Sequence, residues 1–169
     1  NEKKIDPTGK NKSNINGWHS KSFDLNNQSL KNFLKSLTPE IQKATNDMGW
    51  DTQNQIVKIT SMWSIINKQN SFNERHHHGN SALSAAYYVQ ADENAGDIVF
   101  YDPRSAFTFS HPSSNKVNDL NAQVKSIRPK SGNLVLFPSY LDHSVNPSKS
   151  NNERIVISFN VSLIPKTYL

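Results

Sequence analysis

Residues 55–66 read Gln-Ile-Val-Lys-Ile-Thr-Ser-Met-Trp-Ser-Ile-Ile. Rich in β-branched side chains, this stretch predicts a strand, and it marks a change of period along the chain. Upstream, Leu30, Phe33, Leu34 and Leu37 recur at i, i+3, i+4 and i+7, one face of a helix. Thr38-Pro39 then reads as an N-cap with proline in the first turn of a second short helix. Ile41, Ala44 and Met48 continue on one face of it to Gly49. Downstream the period is two, and further strands are expected at 82–90, 97–101, 123–128, 133–138 and 154–163. Turn signals separate them, among them Asn94-Ala95-Gly96, Asp102-Pro103, Ser131-Gly132 and Asn146-Pro147. Short helices followed by evenly spaced strands point to a mainly β chain, an antiparallel sandwich or jelly roll with N-terminal helices flanking one side.

The chain has 169 residues, the size of one domain able to bury a core. Residues 1–16 are polar and read as a flexible basic tail, leaving 17–169 as the single folded domain. The absence of cysteine excludes disulfides, thiolate metal sites and a cysteine nucleophile, so any metal must be held by nitrogen and oxygen. Of the net charge of +5, residues 1–12 account for two, with four lysines against Glu2 and Asp6. The remainder is scattered with no basic stripe, so nucleic acid is not the expected partner. There is no apolar run of membrane-spanning length, and Asn1-Glu2-Lys3-Lys4 opens no signal peptide, so a soluble cytoplasmic protein is expected.

The chemistry concentrates in two places. Residues 73–81 read Asn-Glu-Arg-His-His-His-Gly-Asn-Ser. On an extended segment His76 and His78 face one way and His77 the other, so two imidazoles can converge on one ion. His143, in Phe137-Pro-Ser-Tyr-Leu-Asp-His143, would complete a metal set built from two distant strands. His19 and His111 lack such context and read as surface or supporting residues. Eleven residues after His143, Arg154 opens the last strand and shares a face with Val156, Ser158 and Asn160. A guanidinium there suits a carboxylate ligand gripped by two hydrogen bonds, or else a surface salt bridge. On 82–90, Ser84, Ala86 and Tyr88 share a face whose small residues leave room for a ligand, with Tyr88 able to hydrogen-bond it; Tyr87 reads as packing.

Taken together these segments resemble the Fe(II)/2-oxoglutarate-dependent oxygenases, and most closely their subfamily of small 2OG-Fe(II) oxygenases. His76 to Tyr88 matches that subfamily's H-x-H-x-x-S-x-L-S-x-x-Y-Y, Asp102-Pro103-Arg104 its D-P-R triplet, and Gly132 to Val145 its G-x-L-V-L-F-P-S-x-L-x-H-x-V. Arg154 to Asn160 matches R-x-x-I-S-F-N, and Gly17-Trp18-His19-Ser20 an early G-W-x-S. The resemblance implies a double-stranded β-helix, cupin-like in architecture, with one Fe(II) held by His76, His78 and His143 as the catalytic centre. It implies 2-oxoglutarate as cosubstrate, its distal carboxylate on Arg154 with Tyr88 as helper, and Ser84 and Asn160 on the same faces as further contacts. The activity implied is that of a dioxygenase, a hydroxylase releasing succinate and CO2, with ascorbate as an accessory reductant.

The superfamily's usual set is two histidines and one carboxylate, and here His78 stands where the carboxylate would be, as it does throughout the subfamily. Glu74, Asp102 or Asp142 could supply a carboxylate instead, although none has the usual spacing. Two other classes compete: a three-histidine cupin-type dioxygenase that uses no keto acid, and a non-catalytic jelly-roll module holding a structural ion. The substrate, a small molecule or a peptide, is not legible. The long polar loop 103–122 reads as a substrate lid, and Arg104, Phe107 and His111 within it, with Tyr140 outside it, are candidate substrate contacts.

Overall fold

Helix gives way to sheet at Gly49, whose positive φ of 66° closes the last helical turn. The structure is a computed structural model and describes residues 2–168, without the side chains of Ser105, Phe107, Thr108 and Tyr168. A four-residue helix α1 (Glu2–Ile5) precedes one long helix, α2 (Lys31–Asp47). Two short helices were expected; the chain makes one, entered through a 3-10 turn at Gln28–Leu30 that Asn27 caps by accepting from the Ser29 N–H at 2.9 Å. Pro39 lies inside α2, and Thr38 does not cap: its hydroxyl donates back to the Leu34 carbonyl at 3.2 Å. An interior proline costs about 3 kcal/mol. Leu37 and Ile41, one on each side of it, are both buried against Met62, Leu83 and Phe159. At roughly 1.5–3 kcal/mol per buried aliphatic side chain, that packing outweighs the lost hydrogen bond and holds the two halves in one line.

Ten strands follow the chain: β1 (Asn14–Ile15), β2 (Trp18–His19), β3 (Gln55–Asn67), β4 (Phe72–His76), β5 (Leu83–Gln90), β6 (Ile98–Tyr101), β7 (Val124–Ile127), β8 (Leu134–Pro138), β9 (His143–Val145) and β10 (Arg154–Pro165). They form two five-stranded sheets, ordered β1-β4-β9-β6-β7 and β2-β3-β10-β5-β8, with every pairing antiparallel. This is the double-stranded β-helix, the jelly roll expected from the sequence. Six of the strands, β3, β5, β6, β7, β8 and β10, lie where the period of two placed them.

Alternation along β10 assigns its two faces. Phe159 and Val161 pack outward under α2, while Arg154, Val156 and Ser158 face the space between the sheets. Between the sheets, Ile98 and Phe100 of β6 in the first pack with Phe137 of β8 in the second, and Ile98 and Phe137 line that space. No described helix is long and apolar enough to cross a membrane.

The segment expected as a flexible tail is built into the fold. Asn14 and Ile15 pair with Asn73 and Phe72, the Ser13 carbonyl accepts from the Glu74 N–H at 2.9 Å, and Lys3 pairs with Glu153 at 3.1 Å. Trp18 is buried and its indole donates to the Asp6 carbonyl at 2.8 Å. The segment's polar side chains act as backbone substitutes: Asn14 is buried, donating to the carbonyls of Lys10 and Gly17. Hydropathy counts such residues as exposed, although a buried amide with its partners met carries little penalty. Asn1 and Leu169, the outer ends of the two expected spans, lie outside the described residues.

Candidate metal and cosubstrate site

β4 ends at His76 and β9 begins at His143, and the two stand directly opposite in the register. His78 follows two residues on, fixed by its own N–H donating to the Ser139 carbonyl at 2.9 Å. The ring centroids are 4.3 Å apart for His76 and His143, 5.3 Å for His76 and His78, and 5.1 Å for His78 and His143. One ring nitrogen from each lies within 4.8 Å of the others. His77 turns to the rim and pairs with Asp142 at 3.0 Å, as does Arg75 at 2.8 Å, so that carboxylate joins the two ligand-bearing strands from outside.

Each imidazole is oriented by its Nδ1. In His76 it contacts the Glu74 carbonyl at 2.7 Å, and in His143 the Leu141 carbonyl at 3.0 Å. A carbonyl can only accept, so Nδ1 carries the proton and Nε2 keeps its lone pair for a metal. In His78 the Nδ1 contact is Asn160 Oδ1 at 2.8 Å, and Ser84 Oγ lies 2.8 Å from the same nitrogen. Burial lowers all three pKa values, and the neighbouring imidazoles add to it; His143 falls to about 4. All three are therefore neutral at neutral pH, the protonation state a metal ligand needs. This donor set of three borderline nitrogens fits a divalent first-row ion such as Fe(II). No carboxylate joins it among the described residues. Asp142 is taken by Arg75 and His77, Asp102 by Arg104 at 2.6 Å, and Glu74 is exposed.

Between the sheets lies a cavity of about 440 Å³, within the usual range for small-ligand sites. The three histidines line it, and Arg154 closes its inner end. Arg154 is 2% exposed, and its Nη1 donates to the carbonyls of Ala95 and Gly96, both at 3.1 Å. Its Nε is buried without a partner, and no described carboxylate pairs with it. Burial lowers the guanidinium to about 10, leaving it charged at neutral pH. A buried, charged group missing a counter-ion fits a ligand carboxylate, the group that 2-oxoglutarate would present there. Tyr88 lies alongside, buried on the same face as Val156, and burial raises its phenol to about 12, so it remains a hydrogen-bond donor.

The other expected contacts fall elsewhere. Ser84 and Asn160 do not line the cavity: they sit behind His78, with Ser84 also bonded to Ser139 at 2.9 Å and to Asn160 at 2.9 Å. Alternation placed them on the right faces, but those faces turn their side chains to the histidine's Nδ1. None of the described side chains of residues 103–122 lines the cavity. Arg104 folds back onto Asp102, His111 Nδ1 contacts the Pro112 carbonyl at 2.7 Å, and Tyr140 is 65% exposed. The Phe107 side chain lies outside the described residues. Instead the cavity mouth is walled by Lys12, Ser13, His19 and Ser22 with Ser61 and Trp63 of β3. His19 stacks on Trp63 at 5.7 Å, and burial, with a contribution from Lys12, keeps it neutral-leaning. The one sequence signal for this wall is the Gly17-Trp18-His19-Ser20 stretch.

With this geometry in place, the comparisons with known proteins fall into line. Residues 61–160, well over half of the chain, match the sequence family described as "Putative 2OG-Fe(II) oxygenase". The chain belongs to this family. Among curated proteins none matches the sequence. Among solved structures, a 2OG-Fe(II) oxygenase family oxidoreductase from Burkholderia pseudomallei superposes with a TM-score of 0.63 at 13% identity, covering 86% of this chain and 66% of that one. HygX from Streptomyces hygroscopicus, solved with nickel and 2-oxoglutarate bound, gives 0.59 at 12% identity over 92% and 72%. A Pseudomonas putida prolyl-4-hydroxylase gives 0.57 at 15% identity over 86% and 71%. These likenesses establish the shared fold. The chain spans about two thirds of the length of the Burkholderia protein.

Proposed function

We propose that this family member is an Fe(II)- and 2-oxoglutarate-dependent dioxygenase, with His76, His78 and His143 as iron ligands and Arg154 as the cosubstrate anchor. The observation that carries this reading is one cavity holding three neutral imidazoles whose Nδ1 atoms are bonded elsewhere, the His76 Nε2 meeting only the Ser13 hydroxyl at 3.4 Å, and, at its inner end, a buried guanidinium without an acidic partner among the described residues. When bound, iron would supply O2 activation, coupling decarboxylation of 2-oxoglutarate to succinate and CO2 with hydroxylation of a C–H bond.

The chain's own residues bind, orient and shield. Arg154, held by the Ala95 and Gly96 carbonyls, keeps its remaining N–H groups for the distal carboxylate, with the Tyr88 hydroxyl beside it. Ile98, Phe137, Val145 and Val156 exclude water from the inner half. Asn160 and Ser84 occupy the His78 Nδ1, so that Nε2 would be the atom that holds the ion. The buried arginine also favours this class over a cupin-type dioxygenase, which needs no keto-acid anchor, and over a structural ion site.

The test is turnover. Purified protein is incubated in air with Fe(II), ascorbate and 2-oxoglutarate, and succinate is measured. Succinate above a His143→Ala control is expected. No succinate, together with no 2-oxoglutarate binding, would contradict the proposal.

A further inference from the structure

We propose that the mouth of the cavity binds the anionic group of a small substrate, with Lys12 as the charge anchor and the Trp63 indole N–H as a second donor. This deepens the oxygenase reading and rests on it for calling the ligand a substrate.

The first observation is chemical asymmetry. No aspartate or glutamate lines the cavity, whereas Lys12 stands at its mouth and forms no ion pair among the described residues. The second is an unmet donor: Trp63 Nε1 is shielded from solvent and has no partner, on a residue that lines the same cavity. Such an N–H calls for an acceptor that the protein does not supply. The third is the state of the neighbouring hydroxyls. Ser61 Oγ already accepts from the Asn160 amide at 3.1 Å, which leaves its own O–H to donate; the Ser22 hydroxyl lines the same wall. The wall is therefore donor-rich and carries a positive charge.

The ligand set reinforces this. With three neutral imidazoles, a divalent ion and a doubly negative keto acid would cancel, and with Arg154 and Lys12 the loaded cavity would carry a net charge of +2. A carboxylate in the set would have left one. An anion entering this cavity is favoured by the field and meets donors on arrival. The enclosed volume, part of which the cosubstrate takes, suits a small organic anion better than a folded protein or a nucleic acid. Lys12 and Ser22 lie outside the 61–160 family match, so this specificity belongs to the amino-terminal segment.

Calorimetric titration of benzoate and of benzamide, alike in shape but not in charge, tests the assignment on the full chain. Wild type should prefer benzoate by about tenfold, the scale of one charge-assisted contact at a cavity mouth. The preference should persist in Arg154→Ala and vanish in Lys12→Gln, while Trp63→Phe should weaken benzoate. A preference lost in Arg154→Ala, a preference unchanged in Lys12→Gln, or no binding of either probe would overturn it. Because none of these readouts requires iron or keto acid, failure here is distinct from failure of the oxygenase reading.

Discussion

Arg154 and Lys12 are the two cations of one cavity, and they are built in opposite ways. Arg154 starts the central strand of its sheet, is 2% exposed, and is clamped by two backbone carbonyls before any ligand arrives. Lys12 sits on an exposed stretch next to a two-residue strand, and its ammonium is tied to nothing among the described residues. A clamped guanidinium loses little entropy on binding and reads one geometry, which suits an invariant cosubstrate; a free ammonium on a flexible stem tolerates variety, which suits a substrate. The inner half of the cavity is thus preorganised by β10, β5 and the 92–96 loop; in the outer half the backbone of the amino-terminal segment is tied to β4, but the Lys12 side chain is left free to move.

Several measurements can break or sharpen this contrast. The largest effect is expected at the metal. His143→Ala removes one of the three proposed ligands and should abolish stoichiometric Fe(II) or Ni(II) binding measured by calorimetry, while Lys12→Gln should leave it unchanged. Next, the double variant Asn160→Ala/Ser84→Ala frees the His78 Nδ1 and should weaken metal binding about 10- to 100-fold, the scale seen when a ligand's supporting hydrogen bond is lost. Equal affinity in the double variant and wild type would show that His78 is oriented by packing alone.

A smaller effect concerns pH. His143 titrates near 4 in the folded metal-free protein and at its ordinary 6.5 when unfolded, because burial disfavours the imidazolium. Between those values the unfolded chain takes up a proton that the folded one refuses. Stability is therefore intact above pH 6.5 and is lost as pH falls toward 4, by on the order of 3 kcal/mol from this residue. Chelator-treated protein should show a urea midpoint that drops over this window, and His143→Leu should flatten the drop. A midpoint independent of pH in wild type would contradict the buried neutral imidazole.

The same contrast governs how much could be read from the sequence. β3, β5, β8 and β10 are long enough for alternation to show, so their faces, and with them Arg154 and Tyr88, were legible before any coordinates. His76, His78 and His143 were legible through spacing. β1, β2 and β9 run to two or three residues, too short for any period, and β4 (Phe-Asn-Glu-Arg-His) is too polar to show one, so the wall carrying Lys12, Ser13 and His19 stayed hidden with them. Ser84 and Asn160 show a different limit: alternation assigns a face but not what meets the side chain there, and here it is an imidazole nitrogen. Pro39 shows a third, since packing of Leu37 and Ile41 overrides a local stop signal.

The central claim, that Arg154 anchors a keto acid beside a three-histidine metal centre, is tested most directly by anaerobic titration of 2-oxoglutarate into the Fe(II)-loaded protein. Wild type should bind one equivalent, and Arg154→Ala should bind about 10- to 100-fold more weakly, the loss of a charge-assisted pair. Equal affinity in the two proteins, or no binding by wild type, would contradict it.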